Sequence, residues 1–332
     1  MAAAMSPPEQ APDFLAEHGW GGATILPLAG DASFRRYFRV VDGSRQAVLM
    51  DAPPAHEDCR PFLAVAAHLH AIGFAAPQIY AADLGRGLVL IEDFGDARMA
   101  EVLAANPALE RPVYRDTVDL LAMLHRHPAG TLAPYDMAVL RREADLLVDW
   151  YVPALGLTVD RAGWDTAWEA VLTPVLDQSP VTVLRDYHAE NVMLLDGRQG
   201  TDALGLIDFQ DALAGHPAYD LVSMLQDARR DVSEAIESEM IELYAAAAEL
   251  ADRPGFEAAY AVLGAQRNSK ILGIFTRLWK RDGKPRYLAF QPRVWGYLER
   301  DLAHPALAPV ARWFDANLPE QARAAAWAEY VQ

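Results

Sequence analysis

Hydrophobic and polar positions change rhythm along this chain. Thr24-Ile25-Leu26-Pro27-Leu28 leads into a Gly30-Asp31-Ala32-Ser33 turn, Phe34 to Val41 then alternates bulky and polar residues, and Gln46 to Met50 follows the Asp42-Gly43 turn. Short alternating runs bounded by turn residues predict strands. Pro61 then opens a helix, with Phe62, Val65, Ala66 and Leu69 at helical spacing. Residues 78–81 and Gly87-Leu88-Val89-Leu90-Ile91 read as strands again, and Glu92-Asp93-Phe94-Gly95 follows as a hinge. From about residue 98 the pattern is mostly amphipathic helix, interrupted only by a β-type segment over 181–208. The expectation is an α+β protein with a small β-rich lobe over 1–94 and a larger helical lobe over 95–332, holding a ligand between them. No internal repeat is apparent.

Composition narrows the class. At 332 residues, 52% hydrophobic and 23% charged, the chain is globular, with room for about two cores. No apolar run approaches the roughly 18 residues of a membrane span, and the first ten residues lack the basic and apolar regions of a signal peptide. Cys59 is the sole cysteine, which excludes an internal disulfide and a cysteine-built zinc site and fits a reducing cytoplasm. A formal charge of −17 argues against nucleic-acid binding. The charge is uneven, however: Arg267, Lys270, Arg277, Lys280, Arg281, Lys284, Arg286, Arg293 and Arg300 face only Asp282 and Glu299 in that stretch. Either a solvated basic helix face or a local anion site would produce it.

The candidate chemistry lies between Leu184 and Asp220. Asp186 is followed after four residues by Asn191, then by the apolar run Val192-Met193-Leu194-Leu195, a polar turn, and Leu204-Gly205-Leu206-Ile207 ending in Asp208-Phe209. Phosphoryl-transfer enzymes of the kinase type use this layout. The first Asp accepts the proton of the attacking hydroxyl, while Asn and the second Asp supply hard oxygen ligands to Mg²⁺ on the ATP phosphates. An acidic loop before an ordinary hairpin is the plainer reading, but it leaves the spacing and the terminal Asp-Phe unexplained. Asp211 is open to a second metal, a substrate hydroxyl or no role. His188 reads as a residue that pins the loop, and Asp220 as a bracing carboxylate near a helix start.

The Gly30-Asp31-Ala32-Ser33 turn resembles a loop that covers phosphates, where small residues let backbone N–H groups approach oxygen. Phe34, Arg35 and Arg36 follow it. The hinge residues Glu92 and Phe94 stand where an adenine would meet backbone groups. One part is missing: the third strand carries Met50 where a kinase places its phosphate-binding lysine, and no lysine occurs before Lys270. Arg35, Arg36 or Arg39 is expected to take that duty, or the nucleotide is held less tightly.

With these residues in place, the chain resembles the aminoglycoside phosphotransferase, choline-kinase-like family. Leu184 to Asn191 matches its His-Gly-Asp-x-His-x-x-Asn pattern except at the first two positions, and Ile207 to Leu221 matches Ile-Asp-Phe-x-x-Ala-x-x-Gly-x-Pro-x-x-Asp-Leu throughout. Gly30 to Arg39, Met50-Asp51-Ala52-Pro53-Pro54, Arg185 to Asn191, Asp208 to Ala212 and Leu225 to Val232 are similar to a narrower group, the bacterial anomeric amino-sugar kinases of cell-wall recycling. In that group the strand lysine is likewise replaced by Met. The resemblance implies a protein-kinase-like fold and an enzyme dependent on ATP and Mg²⁺. It also implies phosphorylation of N-acetylmuramate or N-acetylglucosamine at the anomeric hydroxyl. A cytoplasmic location follows from the cysteine usage, and a monomer is the expectation. The resemblance places Arg185, Glu190, Gln210 and Asp211 on the acceptor side. Arg267, Lys270 and Lys280 are the cations available to a lactyl carboxylate. Two alternatives stand beside this reading: a kinase of the same fold acting on another hydroxyl, such as an aminoglycoside or choline, and a catalytically inactive nucleotide-binding module, which only Met50 favours.

Overall fold

The computed structural model describes residues 6–30 and 34–323, with the side chains of 29 and 30 excepted. The chain divides into two compact units, one from Met1–Val102 and Asn191–Asp211, the other from Leu103–Glu190 and Ala212–Gln332.

The first unit is built on an antiparallel sheet of β1 (Thr24–Gly30), β2 (Arg36–Asp42), β3 (Arg45–Asp51), β4 (Ile79–Asp83) and β5 (Leu88–Glu92), in the order β1-β2-β3-β5-β4. The Asp42↔Arg45 register leaves a two-residue turn, and Gly43 occupies it at φ +58°, a conformation that costs other residues steric strain. The central strand β3 is buried from Ala47 to Asp51. Met50 is therefore entirely buried. On one face, Phe14 and Leu15 of α1 (Ala11–Glu17) and Trp20 pack against Phe38, Val40, Leu49, Leu88 and Leu90. Removing each such side chain from water contributes roughly 1.5–3 kcal/mol. Pro61 sits in the first turn of α2 (Arg60–Ala71), which buries Phe62, Val65, Ala66 and Leu69 as the spacing predicts.

The chain passes into the second unit within α3 (Met99–Ala105). There β6 (Val181–Val183) pairs with β9 (Leu213–Gly215), whereas the intervening β7 (Val192–Leu194) and β8 (Leu204–Leu206) form a hairpin of the first unit. The hairpin belongs with the sheet unit because Leu206 N–H donates to the Ala75 carbonyl at 2.8 Å and Leu194 N–H to that of Ala97 at 2.8 Å. Met193 and Leu195 also pack with Ala75, Phe94 and Ile207. Gly205 is required here: a Cβ would lie 2.6 Å from the Phe94 ring.

The remainder of the second unit is helical: α4 (Glu110–Leu124), α5 (Met137–Ala144), a π-helical turn at Leu147–Tyr151 that runs into α6 (Val152–Ala154), α7 (Arg161–Leu172), α8 (Ala218–Leu225), α9 (Glu234–Ala247), α10 (Arg253–Lys280), α11 (Gln291–Leu302) and α12 (Ala308–Asn317). Side chains cap several starts: Asp136 accepts from Val139 N–H, Asp160 from Gly163, Ser233 from Ile236 and Asp252 from Gly255. Trp164 meets Trp168, Trp313 and Phe314 edge-on. The 28-residue α10 is buried from Ala259 to Ser269, so its polar residues there require partners inside the protein.

Candidate active site

The metal-type ligands sit in the first unit. The β7–β8 register opposes Val192 to Leu206, which carries Asn191 and Asp208 to the same end of the hairpin. Ile207 N–H closes that end on the Asn191 carbonyl at 3.1 Å. Asp208 has φ +59°, a left-handed conformation unusual for a residue with a Cβ, and Phe209 is anchored behind it by stacking on Phe62 at 5.2 Å. The Asp208 carboxylate accepts from Asn191 Nδ2 at 3.4 Å, Gln210 Nε2 at 3.1 Å and Arg35 Nη2 at 3.4 Å. Gln210 also donates to Asp211 at 3.3 Å. Asn191 and Asp208 thus form a pair of hard oxygen donors. Among the described residues no cluster of three or more His, Cys, Asp or Glu side chains could hold a metal by itself. Two protein ligands fit Mg²⁺, which takes its remaining oxygens from water and phosphate.

The three arginines that follow the glycine turn have separate fates. Arg36 donates to the buried Asp51 through Nε at 2.8 Å. Arg39 grips the hinge, with Nε 2.6 Å from Asp93 and Nη2 2.8 Å from Asp96. These carboxylates hold its pKa above the usual arginine value, against the opposing effect of burial. Arg35 alone of the three reaches Asp208, with Glu57 flanking it at 4.0 Å. Glu57 also accepts the Phe34 N–H at 3.2 Å. Asp31, Ala32 and Ser33 lie outside the described residues; Gly30 ends β1 opposite Arg36. In the hinge, Glu92 pairs with Arg198 and accepts from Gln78 N–H at 3.2 Å, while the Arg198 guanidinium lies 5.5 Å over the Phe94 ring.

The base-type carboxylate sits in the second unit. The loop after β6 is braced by Asp220 of α8, whose oxygens accept Leu184 N–H at 2.6 Å and Arg185 N–H at 2.8 Å. Burial pushes Asp220 up to about 7, the two N–H donors pulling the other way. Arg185 is left-handed, φ +70°, and Ser223 Oγ donates to its carbonyl at 3.2 Å. Next comes Asp186, whose carbonyl accepts the His188 N–H at 3.1 Å. Desolvation raises the Asp186 carboxyl, but the charges of Lys270, Arg267 and Arg185 outweigh it and hold the group below the ordinary carboxylate range. Burial lowers the His188 imidazole to about 4, so it is neutral near pH 7. Glu190 pairs with Arg229 at 3.1 Å.

Of the basic segment, Arg267 and Lys270 act on Asp186. Lys280 does not join them: it stands ten residues along the same helix, roughly 15 Å at 1.5 Å per residue, and its ammonium covers the Trp279 ring at 3.7 Å. Arg281, Arg293 and Arg300 are engaged by Asp282, Asp231 and Glu237. The segment is therefore not one anion site. Helix geometry separates its members, and local carboxylates occupy three of them.

Glu143 was not singled out in the sequence. Its buried carboxylate pairs with Arg185, accepts the Tyr135 hydroxyl and lies 3.1 Å from Lys270 Nζ. The signal was present, since Leu140, Glu143, Ala144 and Leu147 share the apolar spacing of α5 and its continuation.

Residues 24–262 match the family model described as a phosphotransferase enzyme family. An N-acetylmuramate/N-acetylglucosamine kinase of Caulobacter vibrioides is 38% identical, covering 93% of this chain and 96% of its own. One of Pseudomonas aeruginosa with the same name is 39% identical, covering 94% and 95%. Among solved structures, a choline/ethanolamine kinase family protein of Mesorhizobium loti has a TM-score of 0.61 at 15% identity, with 91% of this chain and 96% of that one covered. A ternary complex of the aminoglycoside phosphotransferase APH(2")-IIa with streptomycin and ATP has a TM-score of 0.59 at 14% identity, covering 82% and 91%. The structural likenesses establish the kinase-like fold anticipated from the motifs.

Proposed function

This chain belongs to the phosphotransferase enzyme family, and from that premise we propose that it is an ATP-dependent kinase of amino sugars. It acts on N-acetylmuramate and N-acetylglucosamine and forms the sugar 1-phosphate at the anomeric hydroxyl. The observation that carries the reading is the 38–39% identity, over at least nine-tenths of the chain, to kinases named for these two sugars. Asp186, Asn191 and Asp208 are all present, which favours an active enzyme over an inactive nucleotide-binding module. Among the described residues no helix is long and apolar enough to cross a membrane. The buried single Cys59 fits work in the cytoplasm.

In this mechanism the anomeric oxygen attacks the γ-phosphorus of ATP, ADP leaves, and Asp186 takes the hydroxyl proton. The cations around Asp186 keep it ionised, ready to accept that hydrogen bond. Asn191 and Asp208 would hold Mg²⁺, which supplies positive charge to the nucleotide phosphates. Arg35 serves as the phosphate-binding cation in place of the strand lysine, with Glu57 beside it. Guanidinium suits that duty because it binds phosphate oxygens bidentately. Glu92 and Phe94 belong to the adenine side in this reading, and Arg185, Glu190, Gln210 and Asp211 to the acceptor side.

The test is ATP consumption with N-acetylmuramate, N-acetylglucosamine, choline and kanamycin, alongside the methyl glycoside of N-acetylglucosamine. Turnover is expected with the two free sugars and not with the methyl glycoside, which has no anomeric hydroxyl for Asp186 to activate. Phosphorylation of the methyl glycoside, whose C6 hydroxyl remains free, would assign a different hydroxyl. Turnover of choline or kanamycin alone would assign a different acceptor.

A further inference from the structure

Arg185 and Lys270 are each required twice in the second unit. Both hold Asp186 ionised, and both are held by Glu143, whose Oε1 meets the Arg185 guanidinium and the Lys270 ammonium while Oε2 accepts the Tyr135 hydroxyl. Glu143 is 8% exposed and Lys270 is 12% exposed. Neither is a solvated surface charge, and a charge removed from water at this point must be balanced locally. Two carboxylates, Asp186 and Glu143, answer two cations, Arg185 and Lys270. Arg267 acts on both Asp186 and Asp220. Burial opposes ionisation of Glu143, yet Lys270 and Arg185 hold it below the ordinary carboxylate range, so its charge is present near neutral pH.

This balance bears on the two acceptors, which differ by one charge. N-acetylmuramate brings a lactyl carboxylate; N-acetylglucosamine does not. Without Glu143, Lys270 and Arg185 would confront a neutral sugar as under-compensated buried cations, whereas an anionic sugar would complete their pairing. We propose that Glu143 is a positioning residue that sets acceptor specificity: it fixes Lys270 and Arg185 beside Asp186 and supplies the internal carboxylate that lets a neutral amino sugar be used as well as an anionic one. The inference rests on the amino-sugar reading above.

The experiment measures kcat/KM for both sugars at saturating Mg·ATP in the wild type, Glu143→Gln and Lys270→Met, each first checked for cooperative thermal unfolding. Glu143→Gln, which keeps shape and one acceptor for Tyr135, is expected to raise the N-acetylmuramate to N-acetylglucosamine ratio by about tenfold, the scale of one charge-assisted hydrogen bond. Lys270→Met is expected to lower the ratio by about the same factor. The KM for Mg·ATP is expected to stay put in both. A merely structural pair would depress both sugars together, so an unchanged ratio in the folded variants overturns the inference. If Glu143→Gln does not fold, Lys270→Met decides alone, and an unchanged ratio there is equally fatal. A wild type that phosphorylates neither sugar overturns the acceptor reading and this inference with it. A wild type that phosphorylates both while the ratio stays fixed overturns the inference alone.

Discussion

Asp208 in the first unit and Asp186 in the second both sit at left-handed backbone, Asp208 by its own φ of +59° and Asp186 directly after Arg185 at +70°. Their surroundings are opposite. The Asp208 side chain is 33% exposed and meets Asn191, Gln210 and Arg35 at 3.1–3.4 Å. Asp186 is set among Lys270, Arg267 and Arg185, two of them locked onto a buried Glu143. Asp186 already has its charge environment in place. Such preorganisation is what transfer of a proton in a desolvated site demands, because the dipoles and charges need not reorient during the reaction.

The contrast is broken most directly at Asp186. Asp186→Asn removes the base and leaves the shape, so kcat is expected to fall by roughly 10²–10⁴, with ATP affinity and thermal unfolding close to wild type. Near-native turnover would remove Asp186 from the mechanism. Asp208→Ala should behave differently, weakening Mg·ATP binding as well as turnover, because a metal ligand is lost. A variant that loses turnover with unaltered Mg·ATP affinity in calorimetry would show that the two carboxylates do not divide the work in this way.

A smaller effect sharpens the first unit. Arg35→Ala is expected to raise the KM for Mg·ATP about tenfold and to weaken nucleotide binding measured directly, without changing the KM of the sugar. Arg36→Ala should cost stability, since it strands the buried Asp51, and leave nucleotide affinity alone. If the two variants exchange these phenotypes, phosphate binding lies with Arg36.

A last test asks how dry the second unit is. Ala218 N–H donates to His216 Nδ1 at 3.1 Å, which requires an unprotonated nitrogen there, and burial lowers the imidazole to about 4. An unfolded histidine titrates near about 6.5, so the unfolded chain takes up a proton first as pH falls. The stabilisation is complete above about pH 6.5 and drains away toward about pH 4, on the order of 2 kcal/mol by about pH 5. His216→Asn keeps an acceptor without the titration. The wild type's lead in Tm over this variant is therefore expected to narrow between about pH 7.5 and about pH 5. A constant lead would mean that His216 is not held neutral by burial.

Much of this was legible in the residues in order. The strands from Thr24 to Met50, the helix opened by Pro61 and the Asp186-x4-Asn191 and Ile207-Asp208-Phe209 motifs are local patterns. Period, turn residues and spacing encode them because each depends on neighbours within a few positions along the chain. Even the absence of a strand lysine was readable at Met50. What replaces it was not, because Arg35, Arg36 and Arg39 differ only in the carboxylates they meet, and Asp51, Asp93 and Asp208 are brought to them by the sheet and the hairpin. The same holds for Lys270 and Lys280, alike in sequence and separated by the length of one helix, and for Glu143, a glutamate on an apolar stripe whose partners come from distant segments. Sequence alone determined the chemical groups and their local geometry. Tertiary structure decided which charges meet, because an ion pair is set by distance in space and by the water excluded around it, and neither is written in the order of residues.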